Sequence, residues 1–143
     1  MLMSVIIRKK GLKLMAIAYG CILIAIILPL LWASVAKSPA FKDKSFDNSK
    51  PRLVLAALEG RAQRANWAQQ NAFEALPGFI GAVLIAIVAG VSATLINTLA
   101  VIFIVARIAH GLCYISDQAT ARSLVWSVGL ACVVALIVLA MGQ

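Results

Sequence analysis

Residues 77–116 read PGFIGAVLIAIVAGVSATLINTLAVIFIVARIAHGLCYIS, two long apolar runs separated only by Gly90-Val-Ser-Ala-Thr94. Each run approaches the roughly 20 residues that a helix needs to cross a bilayer. A turn that short between two such runs predicts an antiparallel helical hairpin in a membrane. The second run also contains Arg107, His110 and Tyr114 near its end. A charge at the centre of a bilayer costs at least about 2.5–3.5 kcal/mol, so such a residue usually faces a bundle interior and has a function.

The rest of the chain extends this plan. Of its 143 residues, 63% are hydrophobic, and the mean hydropathy is +0.99. A soluble domain is about 45–50% apolar, so this chain is read as one integral membrane domain over 1–143. Four spans are expected, at about 12–36, 72–91, 95–116 and 122–141, giving an all-α antiparallel four-helix transmembrane bundle. Pro29 is expected to kink the first span. That span is too long for a signal-peptide core and lacks a small-residue cleavage site, so it is read as retained. A polar loop covers 37–52, and Pro51 is placed to open the next helix. This second helix is expected to run without a break from about 51 to 91, about 58 Å at about 1.5 Å per residue. Its first part, Leu53 to Gln70, is amphipathic. Small residues Gly78, Gly81, Ala82, Ala86, Ala89 and Gly90 would let a neighbour approach closely. Asp117 to Ala121 is the last expected turn.

The net charge of +8 comes from clusters flanking the spans. This pattern reads as lipid-headgroup contact and topology signal, with no nucleic-acid footprint. Arg8, Lys9, Lys10 and Lys13 lie on one side; Lys37, Lys42, Lys44, Lys50, Arg52, Arg61, Arg64 and Arg122 lie on the other. The larger cluster places the 37–52 side in the cytoplasm. Cys21, Cys113 and Cys132 sit in apolar runs as small hydrophobes, and one His with such spacing argues against any metal site. Trp32, Trp67 and Trp126 are expected in the interfacial aromatic belt, and Tyr19 and Asn97 in helix–helix hydrogen bonds. A small multidrug transporter would want an acidic residue in the first span, and there is none.

Helical spacing sorts the polar residues. Arg64, Trp67, Asn71 and Glu74 recur at steps of three and four and form one stripe. Arg107, His110 and Tyr114 form a second. Because the two helices are antiparallel, both stripes meet at the loop side of the membrane, where Arg122 and Ser123 begin the last helix. Arg107 and Arg122 suit carboxylates, Glu74 an ammonium group and Asn71 an amide. That set fits a small zwitterionic ligand. It fits equally a structural lock in which Glu74 pairs with Arg107 or His110.

The run Arg64-Ala-Asn-Trp-Ala-Gln-Gln-Asn71-Ala-Phe-Glu74-Ala-Leu-Pro77 resembles the second-helix signature of the MAPEG family, the membrane-associated proteins in eicosanoid and glutathione metabolism. Arg107-Ile-Ala-His110-Gly-Leu-Cys-Tyr114 resembles the third-helix signature, and Arg122-Ser123 stands where the fourth helix begins. The resemblance runs from about the second helix to the end. It implies a homotrimer, here of a bacterial-type member in the inner membrane, with glutathione between neighbouring subunits near the cytoplasmic face. It further implies that Asn71, Glu74, Arg107, His110, Tyr114 and Arg122 contact glutathione. Arg122 would favour thiolate, with Ser123 beside it, toward lipophilic electrophiles or hydroperoxides in the bilayer, as in a glutathione transferase or peroxidase. Catalytic animal members carry an arginine shortly before the motif asparagine, where this chain has Trp67 and Gln70. A non-catalytic scaffold or lipid-binding module on the same fold is the alternative.

Overall fold

The structure, a computed structural model, describes residues 15–143. The expected start of the first span at Leu12, and the cluster Arg8, Lys9, Lys10 and Lys13, lie outside the described residues. Among the described residues five helices form: α1 (Ala16–Lys42), α2 (Pro51–Ala56), α3 (Gly60–Ala89), α4 (Ala93–Ile115) and α5 (Ala119–Met141). All but the short α2 are long and apolar enough to cross a membrane. A helix satisfies its own backbone hydrogen bonds, which is why lipid tolerates it.

The four long helices alternate in direction. The antiparallel pair α3–α4 is central, and α1 and α5 each pack on both of its members rather than on each other. The Ala18 N–H donates to Asn97 Oδ1 at 3.0 Å, joining the starts of α1 and α4 at the end of the bundle away from the polar loop. Asn97 is thus the expected inter-helix hydrogen-bonding group, whereas Tyr19 stands exposed on the outside of α1.

Two clusters fill the interior. One, around Phe79, Val83, Ile96, Phe103 and Leu136, is wholly apolar, with the Phe79 and Phe103 rings stacked 3.9 Å apart at 5°. The other, at the loop side, sets Trp32 against Ala65, Ala68, Ala72 and Ile115. Trp32 is therefore buried and does not join an aromatic belt; Trp67 and Trp126 are exposed. Trp32 finds this place because Gly111 faces it. A Cβ there would run into the indole ring.

Several boundaries move. α1 continues past Ala36 to Lys42, through both Pro29 and Pro39, so the loop shortens to 43–50. Pro39 has no N–H to give the Val35 carbonyl, and the Ser38 hydroxyl donates to it instead at 2.9 Å. The long second helix is broken. Glu59 is extended and Gly60 adopts φ +55°, a left-handed conformation that costs glycine little, and α3 restarts there. Leu55 of α2 and Leu58 just after it pack on the Trp32 cluster, and the buried Asn66 amide donates to the Leu55 carbonyl at 3.4 Å. At the other end of α3, Gly90 at φ +87° and the Val91 N–H on the Ala86 carbonyl form a Schellman ending, with Val91 buried. Of the small residues on α3, Ala82 and Ala86 lie at the helix contact, while Gly78 and Gly81 face open space. α5 begins at Ala119, three residues earlier than expected.

Candidate functional site

Asn71 and Glu74 on α3, Arg107, His110 and Tyr114 on α4, and Arg122 and Ser123 on α5 line two adjoining open clefts on the loop side of the bundle. The reason is the one read from the spacing. One face of each helix carries the polar groups, and the antiparallel order brings the three faces to one level.

The first cleft, of about 290 Å³, is lined by Asn71, Glu74 and Arg107 and by the apolar walls of Phe103, Trp126 and Leu130. Arg107 is 5% exposed. One of its terminal nitrogens donates to the Asn71 backbone carbonyl at 3.1 Å and to Asn71 Oδ1 at 2.5 Å. The Asn71 amide in turn donates to Glu74 Oε2 at 3.1 Å. Asn71 therefore stands between cation and carboxylate. Among the described residues, no ion pair joins Glu74 to Arg107 or His110. The direct lock is not made, and exposed Glu74 keeps its other oxygen available to the cleft.

The second cleft, of about 400 Å³, is lined by Asn71, His110, Tyr114, Arg122, Ser123 and Trp126. His110, 3% exposed, meets the Tyr114 ring edge-on with centroids 5.1 Å apart. The Arg122 guanidinium carbon lies 4.4 Å from the centroid of the same ring, a cation–π contact. The Ser123 hydroxyl donates to the Ala119 carbonyl at 3.2 Å, which leaves its lone pairs free to accept. Asn71 and Trp126 belong to both clefts, so the two adjoin, and together they make up the trough.

Two buried polar atoms beside this trough have no hydrogen-bond partner: Arg107 Nε and His110 Nδ1. Such groups cost about 1–3 kcal/mol when buried unpaired. The lining mixes two guanidinium groups with one carboxylate, so it favours an anion with a smaller cationic part.

Two residues of the α3 stripe lie outside the site, and some residues that line it are not among those the spacing singled out. Arg64 shares the stripe of Asn71, yet it lines neither cleft. Trp67 is exposed and also lies outside both. Conversely, Trp126, Gly129, Leu130 and Val133 line the first cleft. Trp126, Gly129 and Val133 follow Arg122 at steps of four, three and four, and Leu130 stands four after Trp126, so all mark one face of α5, a signal present in the sequence.

No curated protein matches the chain. A family model described as the MAPEG family matches residues 17–142. With that match over nearly the whole chain, and with four helices suited to a bilayer, this integral membrane protein belongs to the MAPEG family.

Proposed function

We propose that this protein binds glutathione in the trough formed by the two clefts, at the border between neighbouring subunits of a homotrimer. We further propose that it acts as a membrane glutathione transferase or peroxidase on lipophilic electrophiles or hydroperoxides. The observation that carries the reading is the convergence of Asn71, Glu74, Arg107, His110, Tyr114 and Arg122 on one trough beside two unpaired buried nitrogens.

The residues fit the tripeptide by chemistry. Arg107 and Arg122 offer planar forks for its carboxylates, Glu74 an acceptor for its ammonium group, and Asn71 both halves of an amide pair. Glutathione would supply a thiol, a strong nucleophile once ionised. Arg122 would lower the cost of that charge, and Ser123 beside it would accept or donate one hydrogen bond. The apolar wall of Trp126, Leu130 and Val133 gives a lipid-dissolved partner a place next to the polar layer. In this reading the loop side faces the cytoplasm of a bacterial cell, since Lys37, Lys42, Lys44, Lys50 and Arg52 flank the spans there.

The test is direct. Purified protein in detergent is expected to bind glutathione and to form a thioether with an aryl halide, while Arg122→Ala loses the ultraviolet absorbance of the bound thiolate. No binding and no product would sink the reading. A second reading, a non-catalytic scaffold or lipid-binding module, is favoured by Trp67 and Gln70, which stand where catalytic animal members place an arginine. Tight glutathione binding without turnover over a panel of electrophiles would select it.

A further inference from the structure

Arg64 turns away from the trough toward the end of α4. One terminal nitrogen donates to the Ile115 carbonyl at 3.4 Å, and the other stands 3.8 Å from the Asp117 carboxylate. Ile115 is the last residue of α4, so its carbonyl has no partner further along the helix. A cation at that point also meets the negative end of the helix dipole. Asp117 is 73% exposed, so its ion pair alone contributes little. Its backbone, however, holds φ +59°, a left-handed conformation that Asp tolerates and most side chains do not. The turn between α4 and α5 thus has one particular shape, and Arg64 ties that shape to α3.

What leaves this turn is the start of α5. The Arg122 N–H bonds the Gln118 carbonyl at 2.9 Å, so Arg122 sits in the first turn of the helix and moves with it. Its guanidinium lies over Tyr114, the residue just before Ile115. The two groups that Arg64 contacts, the Ile115 carbonyl and the Asp117 carboxylate, therefore both lie in the short connection that runs from Tyr114 to Arg122. We propose that Arg64 is a positioning residue for Arg122: it clamps the α4–α5 turn to α3 and so holds the Arg122 guanidinium over Tyr114 at the second cleft. The consequence for glutathione rests on the function proposed above; the clamp itself does not. Arg64 contacts no ligand in this arrangement and acts only through the turn.

The chain has two tyrosines, and Tyr19 lies near the opposite end of the bundle, so it serves as an internal control. With ¹³C-labelled tyrosine in the full-length protein, Arg122→Ala marks where the Tyr114 ring signal falls without a cation above it. Arg64→Ala is expected to move the Tyr114 signal toward that position and to leave Tyr19 unmoved. Arg64→Lys, which keeps the charge and loses the fork, is expected to fall between wild type and Arg64→Ala. Glutathione affinity is expected to drop about tenfold in Arg64→Ala, the size of one charge-assisted hydrogen bond, and to recover in part in Arg64→Lys. If Arg64→Ala does not fold, Arg64→Gln, neutral and of similar reach, carries the same measurements. A Tyr114 signal that stays at its wild-type position in the neutral variant, while Arg122→Ala moves it, overturns the clamp. A moved signal with unchanged glutathione affinity overturns its role in the site. Wild-type protein that binds no glutathione removes the proposed function, and the tyrosine signals still decide the clamp.

Discussion

The two ends of this bundle are built on different principles. At the end away from the loop, Val83, Ala86, Ile96 and Leu136 make a mainly apolar interior, with an inter-helix hydrogen bond running from Ala18 to Asn97. At the loop end, alanines surround Trp32, and Asn66, Arg107 and His110 are buried among them. Every buried side-chain nitrogen or oxygen without a hydrogen-bond partner, among the described residues, belongs to this second end: Trp32 Nε1, Arg64 Nε, Gln69 Oε1, Arg107 Nε and His110 Nδ1. Lipid is as apolar as a leucine core, so the first end holds by close packing rather than by escape from water. The second end leaves donors and acceptors unfilled and opens a trough beside them. The contrast predicts that stability depends mainly on one end and the proposed glutathione binding on the other.

Substitutions at each end test that division. The largest effect is expected from Ile96→Ala, which leaves a cavity in the apolar interior away from the trough. A loss of about 2–5 kcal/mol in detergent unfolding is expected, with glutathione affinity nearly unchanged in the protein that remains folded. If affinity fell in proportion, the two ends would not be separable. Arg107→Ala should show the reverse. Binding is expected to weaken by about 1.5–3 kcal/mol, the worth of hydrogen bonds from a charged donor, as read by titration calorimetry. Equal losses of stability and binding would make Arg107 a structural member first. Gly111→Ala lies at the loop end but disturbs packing, since the added methyl meets the Trp32 ring. Its expected cost is about 1–3 kcal/mol, with a changed Trp32 environment in fluorescence, and a neutral result would mean that α1 yields easily.

The smallest effect concerns the loop. The hydroxyl and then the amide of Ser45 hold the Asp43 carboxyl below the usual carboxylate range, and Ser49 does the same for Asp47. A lowered value means that the ionised form supports the turn above the ordinary carboxylate range. That support disappears as the pH falls through the lowered value. The protection of the Ser45 and Ser49 amides against exchange, taken relative to the intrinsic rate at each pH, is expected to fall on acidification, with the trough unaffected.

Much of the site was legible because helix spacing fixes which face a residue occupies. Asn71 with Glu74, and Arg107 with His110 and Tyr114, needed only that rule and an antiparallel hairpin. The same rule says less about Arg64. A stripe states the face but not which neighbour a long side chain reaches, and Arg64 reaches the α4 terminus. The break before α3 was hidden because one left-handed glycine, Gly60, interrupts an amphipathic run without changing its composition. Trp32 was misplaced because its burial depends on Gly111, a residue 79 positions away that only the packing brings near.

The hairpin of α3 and α4 has a consequence for how the chain enters a bilayer. Only three residues, Gly90 to Ser92, separate the two helices, so they must insert together. The costliest group to insert, the Arg107 cation, bonds Asn71 on the other arm of that same hairpin. Its solvation shell is thus carried within a single insertion unit, and neither α1 nor α5 has to arrive before the charge can be accommodated.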